Sequence, residues 1–331
     1  MTTIKDLLHE VTDAVEPGDR LDAIRAATAQ GGRRTHRGWW AAGGAGLVAA
    51  SVVTALALST GGGPGESLPG PAQESTGTAT TSATENPNTS RVVPIYFVGE
   101  TPTGPRLFRE LQRGTGPMSA ETFALDAALS GASLDPDYRT PWPAGAVSEA
   151  YGMTENLISV TIMGDLHDRP PGMSEEEARL AIEQVVRTAQ GVWGHGRVPV
   201  ELRLNGATSD QILGVPTSEP LSTSPDLDVL SHVNLSDPVE GQVVDNDEPL
   251  TVRGVGASAD DRVSLSIRQW DGPAVLYQLD VDLEPSDAQL APFSVKWSLG
   301  SRPPGDYEVV VTVTDADGTV DTDTRRITVV D

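Results

Sequence analysis

The stretch Ser174-Glu175-Glu176-Glu177-Ala178-Arg179-Leu180-Ala181-Ile182-Glu183-Gln184-Val185-Val186-Arg187-Thr188-Ala189 decides the fold class. Ser174 with Glu177 three residues on is a capping box, in which each side chain satisfies a backbone N–H that the first helical turn leaves open. Ala178, Ala181, Ile182, Val185, Val186 and Ala189 then recur at helical spacing and predict one buried face on a long helix. Immediately afterwards the period changes. Val198, Val200, Leu202 and Leu204 alternate, the pattern of a strand with one face in a core.

Reading back toward the N-terminus, Val92 to Val98 is a strand signal, and Leu107 to Leu111 is its neighbour through Thr101-Pro102-Thr103-Gly104. Ser119 caps a helix bearing Phe123, Ala127 and Ala128, which Gly131 ends. Beyond the loop at Pro141-Trp142-Pro143 come strand signals over Val147 to Tyr151 and Leu157 to Met163. Residues 92–216 therefore predict an α+β domain with two helices on one face of a mixed sheet.

Downstream of a linker over 217–228, residues 229–331 carry no helical pattern. Short alternating runs recur instead: Leu250 and Val252; Val263, Leu265 and Ile267; Val275, Tyr277 and Leu279; Phe293, Val295 and Trp297; Tyr307 through Val313; Ile327 and Val329. Such spacing predicts an immunoglobulin-like β-sandwich. Asp317-Gly318 between the last two runs is a hairpin turn that calls for positive φ.

Upstream, Trp39 to Leu58 is an uncharged run of 20 residues, long enough as a helix to span about 30 Å of hydrocarbon. Arg33, Arg34 and Arg37 precede it, so the positive-inside rule puts the N-terminus in the cytoplasm, with Trp39 and Trp40 at the inner interface. A cleavable signal peptide is the rival reading, because Ala55-Leu56-Ala57 supplies small residues. The long n-region and the length of the run favour an anchor. Ala42, Gly46, Ala50 and Thr54 fall four apart, a small-residue ridge on which two copies could pair as a homodimer. In residues 1–38, Ile4, Leu7, Leu8, Val11 and Val15, then Leu21 and Ile24, mark two short helices around Pro17-Gly18, too little chain for a core, so the apolar stripe lies on a cytoplasmic partner, on the membrane surface or on a second copy, or else stays partly unfolded. Residues 59–91 are rich in Gly, Pro, Ser and Thr and read as a flexible tether.

The net charge of −24 lies wholly after residue 38, because residues 1–38 hold six basic and six acidic side chains. A surface so acidic repels phosphate backbones and argues against nucleic acid as a partner. Cysteine is absent, which removes disulfides, thiolate chemistry and cysteine-linked lipid.

The motifs also carry a resemblance. Val93-Pro94-Ile95-Tyr96-Phe97-Val98 through Val200-Glu201-Leu202-Arg203-Leu204-Asn205-Gly206 and Ile212-Leu213-Gly214 resembles the sporulation and spore germination domain called GerMN, over about residues 93–216. From Val233 onward, Asp237-Pro238-Val239-Glu240-Gly241, Pro249-Leu250-Thr251-Val252-Arg253-Gly254, Phe293-Ser294-Val295 and Thr314-Asp315-Ala316-Asp317-Gly318 are similar to the immunoglobulin-like domain of bacterial spore germination proteins. The resemblance implies an envelope location, protein or cell-wall interaction, and no established active site. Relatives are often lipoproteins, where here a transmembrane helix is expected.

Candidate chemistry is sparse. His9, His36, His167, His195 and His232 show no metal-ligand spacing, and His9-Glu10 lacks the second histidine of a zinc-protease helix. Asp165-Leu166-His167-Asp168 puts a base beside carboxylates without a placed serine, and Gly194-His195-Gly196 reads as a helix-ending loop. Asp315, Asp317, Asp321 and Asp323 read as a solvated hairpin and lack the spacing of an EF-hand; weak calcium binding by them stays open. Gly254-Val255-Gly256 is not a nucleotide loop. No catalytic residue, cofactor or metal is expected. The sequence points to a non-enzymatic, single-pass membrane protein whose two outer domains act as a scaffold for an envelope protein or wall polymer. The alternative is a transmembrane regulator resembling an anti-sigma factor, with residues 1–38 holding the cytoplasmic partner.

Overall fold

The computed structural model describes residues 91–331 apart from 115–116, 195–196, 273–274 and 301. It begins with a hairpin of β1 (Arg91–Thr101) and β2 (Gly104–Gly114), antiparallel along its whole length. Helix α1 (Ala120–Ser130) starts where Ser119 Oγ accepts the Thr122 N–H at 3.2 Å and stops at Gly131, which is left-handed at φ 75°. Strands β3 (Val147–Thr154) and β4 (Leu157–Met163) follow, then α2 (Glu175–Trp193), β5 (Val200–Leu204) and β6 (Ala207–Thr208). The capping box of Ser174 and Glu177 is formed in both directions. These four strands make a mixed sheet in the order β3-β4-β5-β6, with β4 and β5 parallel. A small ladder of β7 (Gln211–Ile212) and β8 (Val215–Pro216) ends the unit.

The expected arrangement of two helices on one face of a single sheet needs correcting. The β1–β2 hairpin does not join the mixed sheet, and α2 is packed between the two. Its Ala178, Ala181, Ile182, Val185, Val186 and Ala189 meet Ile158, Val160, Val200 and Leu202 as the spacing predicts. Its opposite side is buried too: Leu180 packs on Val98 and Leu107, Gln184 Nε2 donates to Tyr96 O at 2.8 Å and Ala128 O at 3.0 Å, and Thr188 Oγ1 accepts the Tyr96 N–H at 3.2 Å. The polar residues there are hydrogen-bonding partners for hairpin or helix backbone, as buried polar groups must be. Helix α1 sets Ala124, Ala127 and Ala128 against Val93, Ile95, Phe97 and Phe108.

The connecting segment is pinned at several points. Val200 and Leu221 exchange backbone hydrogen bonds at 2.8 Å, and Ser224 N–H donates to Glu183 Oε1 at 2.8 Å before the short helix α3 (Asp226–Val229). The second domain comprises β9 (Val233–Asp237), β10 (Gln242–Asp245), β11 (Pro249–Gly256), β12 (Arg262–Gln269), β13 (Val275–Asp282), β14 (Ala291–Ser298), β15 (Gly305–Thr314) and β16 (Val320–Val330). Two sheets, β10-β16-β15-β12-β13 and β14-β11-β9, close on one core that includes Leu250, Val252, Leu265, Phe293, Trp297, Val311 and Ile327. The alternation predicted for these strands holds except on β13. There Val275 and Tyr277 are 54% and 48% exposed, β13 being the edge strand of its sheet. The β15–β16 hairpin turns at Asp315–Thr319, with Gly318 at φ 87° as the dipeptide predicts.

Among the described residues, no helix is long and apolar enough to cross a membrane. The expected span at 39–58, its flanking Arg33, Arg34, Arg37, Trp39 and Trp40, the ridge of Ala42, Gly46, Ala50 and Thr54, the helices of residues 1–38 with His9 and His36, and His195 lie outside the described residues.

Candidate interdomain site

Strand β16 supplies side chains to both domains from a single face. Ile327 and Val329 fill the sandwich core, while Asp321, Asp323 and Arg325, on the same alternation, are 1%, 3% and 2% exposed at its end. Arg325 Nη2 donates to Leu235 O at 3.2 Å and Asp323 Oδ2 accepts the Leu235 N–H at 2.6 Å, so the pair ties β16 to β9 of the facing sheet. From the first domain, the loop after α1 brings Asp135 and Tyr138. Arg325 Nη1 donates to Asp135 Oδ2 at 2.8 Å, to Asp323 Oδ1 at 2.7 Å and to the Tyr138 oxygen at 3.0 Å. The Tyr138 ring stacks on Phe108 with centroids 4.8 Å apart, and the Arg325 guanidinium lies 5.2 Å from its centroid. Buried Glu110 accepts the Asp135 N–H at 2.8 Å and the Leu134 N–H at 3.0 Å, holding the loop in place.

One cation facing two buried carboxylates sets the electrostatics. Burial pushes Asp135 up from 3.8 to about 7, although the Arg325 charge pulls the other way. Burial and then the Asp323 charge raise Tyr138 well above the phenol range, so it stays a donor. For Arg325 burial acts to lower the pKa, but Asp323, Tyr138 and Asp135 together raise it, so the guanidinium stays charged. Burial also raises Glu240, which accepts the Arg326 N–H at 2.7 Å beside this seam.

Next to the seam lies a cleft of about 190 Å³ between the hairpin, α2 and the second domain. Tyr96, Leu107, Leu230, Val255 and Leu290 form its apolar walls, and Arg109, Arg187, Asp226, Ser231 and Asn234 its polar lining. Arg187 is fully engaged, donating to Glu183 Oε2 at 3.1 Å, Asp226 Oδ1 at 2.8 Å and Ser224 O at 2.6 Å. Arg109 donates from Nη2 to Ser236 Oγ at 3.0 Å. The Asn234 amide, with its nitrogen toward the Arg109 carbonyl, donates there at 3.1 Å and accepts the Arg109 N–H at 3.2 Å, covering the outer edge of β2.

The candidates from sequence fall elsewhere. His167 is exposed, with Nδ1 2.9 Å from Asp168 and Nε2 3.0 Å from Asp210, and hydrogen bonds to Asp210 and then Asp168 raise its pKa. His232 sets Nδ1 2.8 Å from Asp315 and Nε2 3.2 Å from Leu227 O. Asp315 thus pairs with a histidine, Asp317 accepts the Thr319 N–H at 2.9 Å, and Asp321 and Asp323 are buried. The reading of all four as a solvated hairpin is corrected for the last two, since only Asp315 and Asp317 belong to the turn. Their signal was available: 321, 323 and 325 continue the alternation of Ile327 and Val329. Among the described residues, no three His, Cys, Asp or Glu side chains are grouped so as to hold a metal.

Fold and seam together define an α+β module joined to a β-sandwich through buried hydrogen bonds. Residues 94–210 match the family described as Germane: Sporulation and spore germination. Among solved structures, the chain is similar to the tandem GerMN domains of the sporulation protein GerM from Bacillus subtilis, at 12% identity and a TM-score of 0.31, covering 44% of this chain and 48% of that one. It is also similar to CopC from Methylosinus trichosporium OB3b, at 20% identity and a TM-score of 0.22 over 30% and 93% of the two chains. A third likeness is a putative lipoprotein from Clostridium perfringens, at 12% identity and a TM-score of 0.28 over 40% and 87%. The chain thus spans about half the length of the GerM structure that it matches. Comparison with curated protein sequences finds no match.

Proposed function

We propose that the chain is a non-enzymatic, membrane-anchored envelope protein whose two outer domains act as one rigid scaffold arm for an envelope protein or a wall polymer. The observation that carries this reading is the buried Asp135–Arg325–Asp323–Tyr138 cluster. A flexible pair of modules has no need of it, because inter-domain contacts are polar and mobile by default. The Germane match at 94–210, the two-sheet sandwich, read as immunoglobulin-like, and the uncharged run at 39–58 support the same reading. Residues 42, 46, 50 and 54 offer a route to a homodimer, and residues 1–38 a cytoplasmic contact.

The test is capture from membranes with the full chain and with residues 1–38 deleted, alongside binding of residues 91–331 to isolated cell walls. A scaffold keeps its partners without residues 1–38. Loss of every partner on that deletion points instead to a regulator that works through its cytoplasmic segment, and recovery of the full chain in the soluble fraction removes the anchor.

A further inference from the structure

We propose that the interdomain cleft is a carboxylate-binding site centred on Arg109. Arg139, Arg187, Arg203, Arg253, Arg325 and Arg326 each pair with at least one acid. Arg109 is half-buried and has no such partner among the described residues, where its one side-chain hydrogen bond goes to the neutral Ser236 hydroxyl. Among the described residues, its Nε is one of two buried side-chain polar atoms left without a hydrogen bond, and Nη2 makes the one bond, to Ser236. A half-buried guanidinium with open donors favours a charged, planar acceptor, and a carboxylate is the group whose geometry fits its fork.

The rest of the lining narrows the ligand. Arg187 is already balanced by Glu183 and Asp226, so it adds little attraction for a second anion, and Asp226 repels a doubly charged one such as phosphate. A volume of about 190 Å³ lies below the range of whole small-molecule pockets. With Leu107, Leu230, Val255 and Leu290 around it, the space suits a single carboxylate on a short apolar body, as in a peptide C-terminus or a small organic acid. This inference does not depend on membrane anchoring or on the scaffold role; its failure would leave both standing.

The test is calorimetric titration of the full chain in detergent micelles with N-acetylvaline, its uncharged twin N-acetylvalinamide, and isobutyrate. The acid is expected to bind about tenfold or more tightly than the amide, and isobutyrate to match it if a free acid suffices or to fall behind if the peptide unit is read. Arg109→Met is expected to weaken the acid by about tenfold or more, and Arg109→Lys by less. Should Arg109→Met fail to fold, Val255→Phe fills the cleft without touching a seam hydrogen bond and is expected to abolish binding. Equal affinity for acid and amide, no binding of either acid at millimolar concentration, or unchanged binding in the folded variants overturns the proposal.

Discussion

Tyr138 of the first domain donates its hydroxyl proton to Asp323 of the second at 2.6 Å, with both residues buried. The same carboxylate oxygen accepts from Arg325 Nη1 at 2.7 Å and from the Thr324 N–H at 2.9 Å, so it is saturated from both sides of the boundary. A buried charge is tolerable only when paired and hydrogen-bonded throughout. The seam is therefore a unit, and removing one member exposes the others to the full cost of their burial.

Arg325→Met makes the sharpest test of that unity. It leaves Asp135 and Asp323 facing each other without a cation, and breaking a buried pair by removing one partner costs about 3–5 kcal/mol. Tyr138→Phe deletes one hydrogen bond to a charged group, worth about 1.5–3 kcal/mol. Urea denaturation of residues 91–331 is expected to show one transition in the parent, a lower midpoint in Tyr138→Phe, and two separated transitions in Arg325→Met. A parental midpoint in Arg325→Met would mean that the two modules dock through something else.

Docking strength is also expected to depend on pH through Asp135. Its carboxyl is raised from 3.8 to about 7 by burial, so the docked state holds a proton that the undocked state releases. The linkage then has a definite sign: the stabilisation is complete below 3.8, and it is lost as pH rises through about 7. Glu240, also raised by burial, acts in the same direction. Urea midpoints at about pH 5 and about pH 8 are expected to fall with pH in the parent, and the fall to shrink in Asp135→Asn, whose side chain carries no titrating proton. An equal slope in both proteins would assign the dependence to other groups.

Most of the elements were legible in the sequence because their faces are chemically pure. Ser174 and Glu177 announce a helix start, Leu250 and Val252 announce a half-buried strand, and both signals depend only on neighbours in the chain. The seam was legible only on one side: Asp323 and Arg325 continue the inward alternation of Ile327 and Val329, but Asp135 stands 190 residues from Arg325 and Tyr138 185 from Asp323, so nothing local in the chain announces their pairing. The second buried side of α2 was hidden in the same way. Gln184 and Thr188 are polar by composition, and only the placement of β1 turns them into core. The cleft could not be read at all, since Arg109 is distinguished by a buried Nε without a partner, which only the folded chain reveals.

Gly191, in the last turn of α2, is there for space. A Cβ at this position would sit 2.7 Å from Pro94 Cγ on β1, a ring held by the strand. Gly191→Ala gains about 1 kcal/mol of helix propensity but forces an overpacked contact costing about 1–3 kcal/mol. Net destabilisation is expected in thermal unfolding. A rise in Tm would mean that β1 moves away from α2 without penalty.

Gly254 and Gly318 separate the two reasons for which this domain uses glycine. At Gly254 the ladder between β11 and β9 shifts register, and an added Cβ would lie 2.3 Å from the Asn234 carbonyl oxygen and 2.6 Å from Phe293 Cζ. Neither neighbour can give way, one being backbone and the other a core ring, so Gly254→Ala is expected to cost about 3 kcal/mol, the upper end for overpacking. Gly318 at φ 87° meets no atom within 4 Å, and Gly318→Ala is expected to cost only the left-handed backbone penalty of about 1–2 kcal/mol. The two also differ in reach. Asn234 clasps the Arg109 main chain and Val255 lines the cleft, so Gly254→Ala is expected to lower hydrogen-exchange protection at Arg109, whereas Gly318→Ala leaves it unchanged. Equal exchange at Arg109 in both variants would show that β9 yields locally and that the cleft is insulated from the sandwich beneath it.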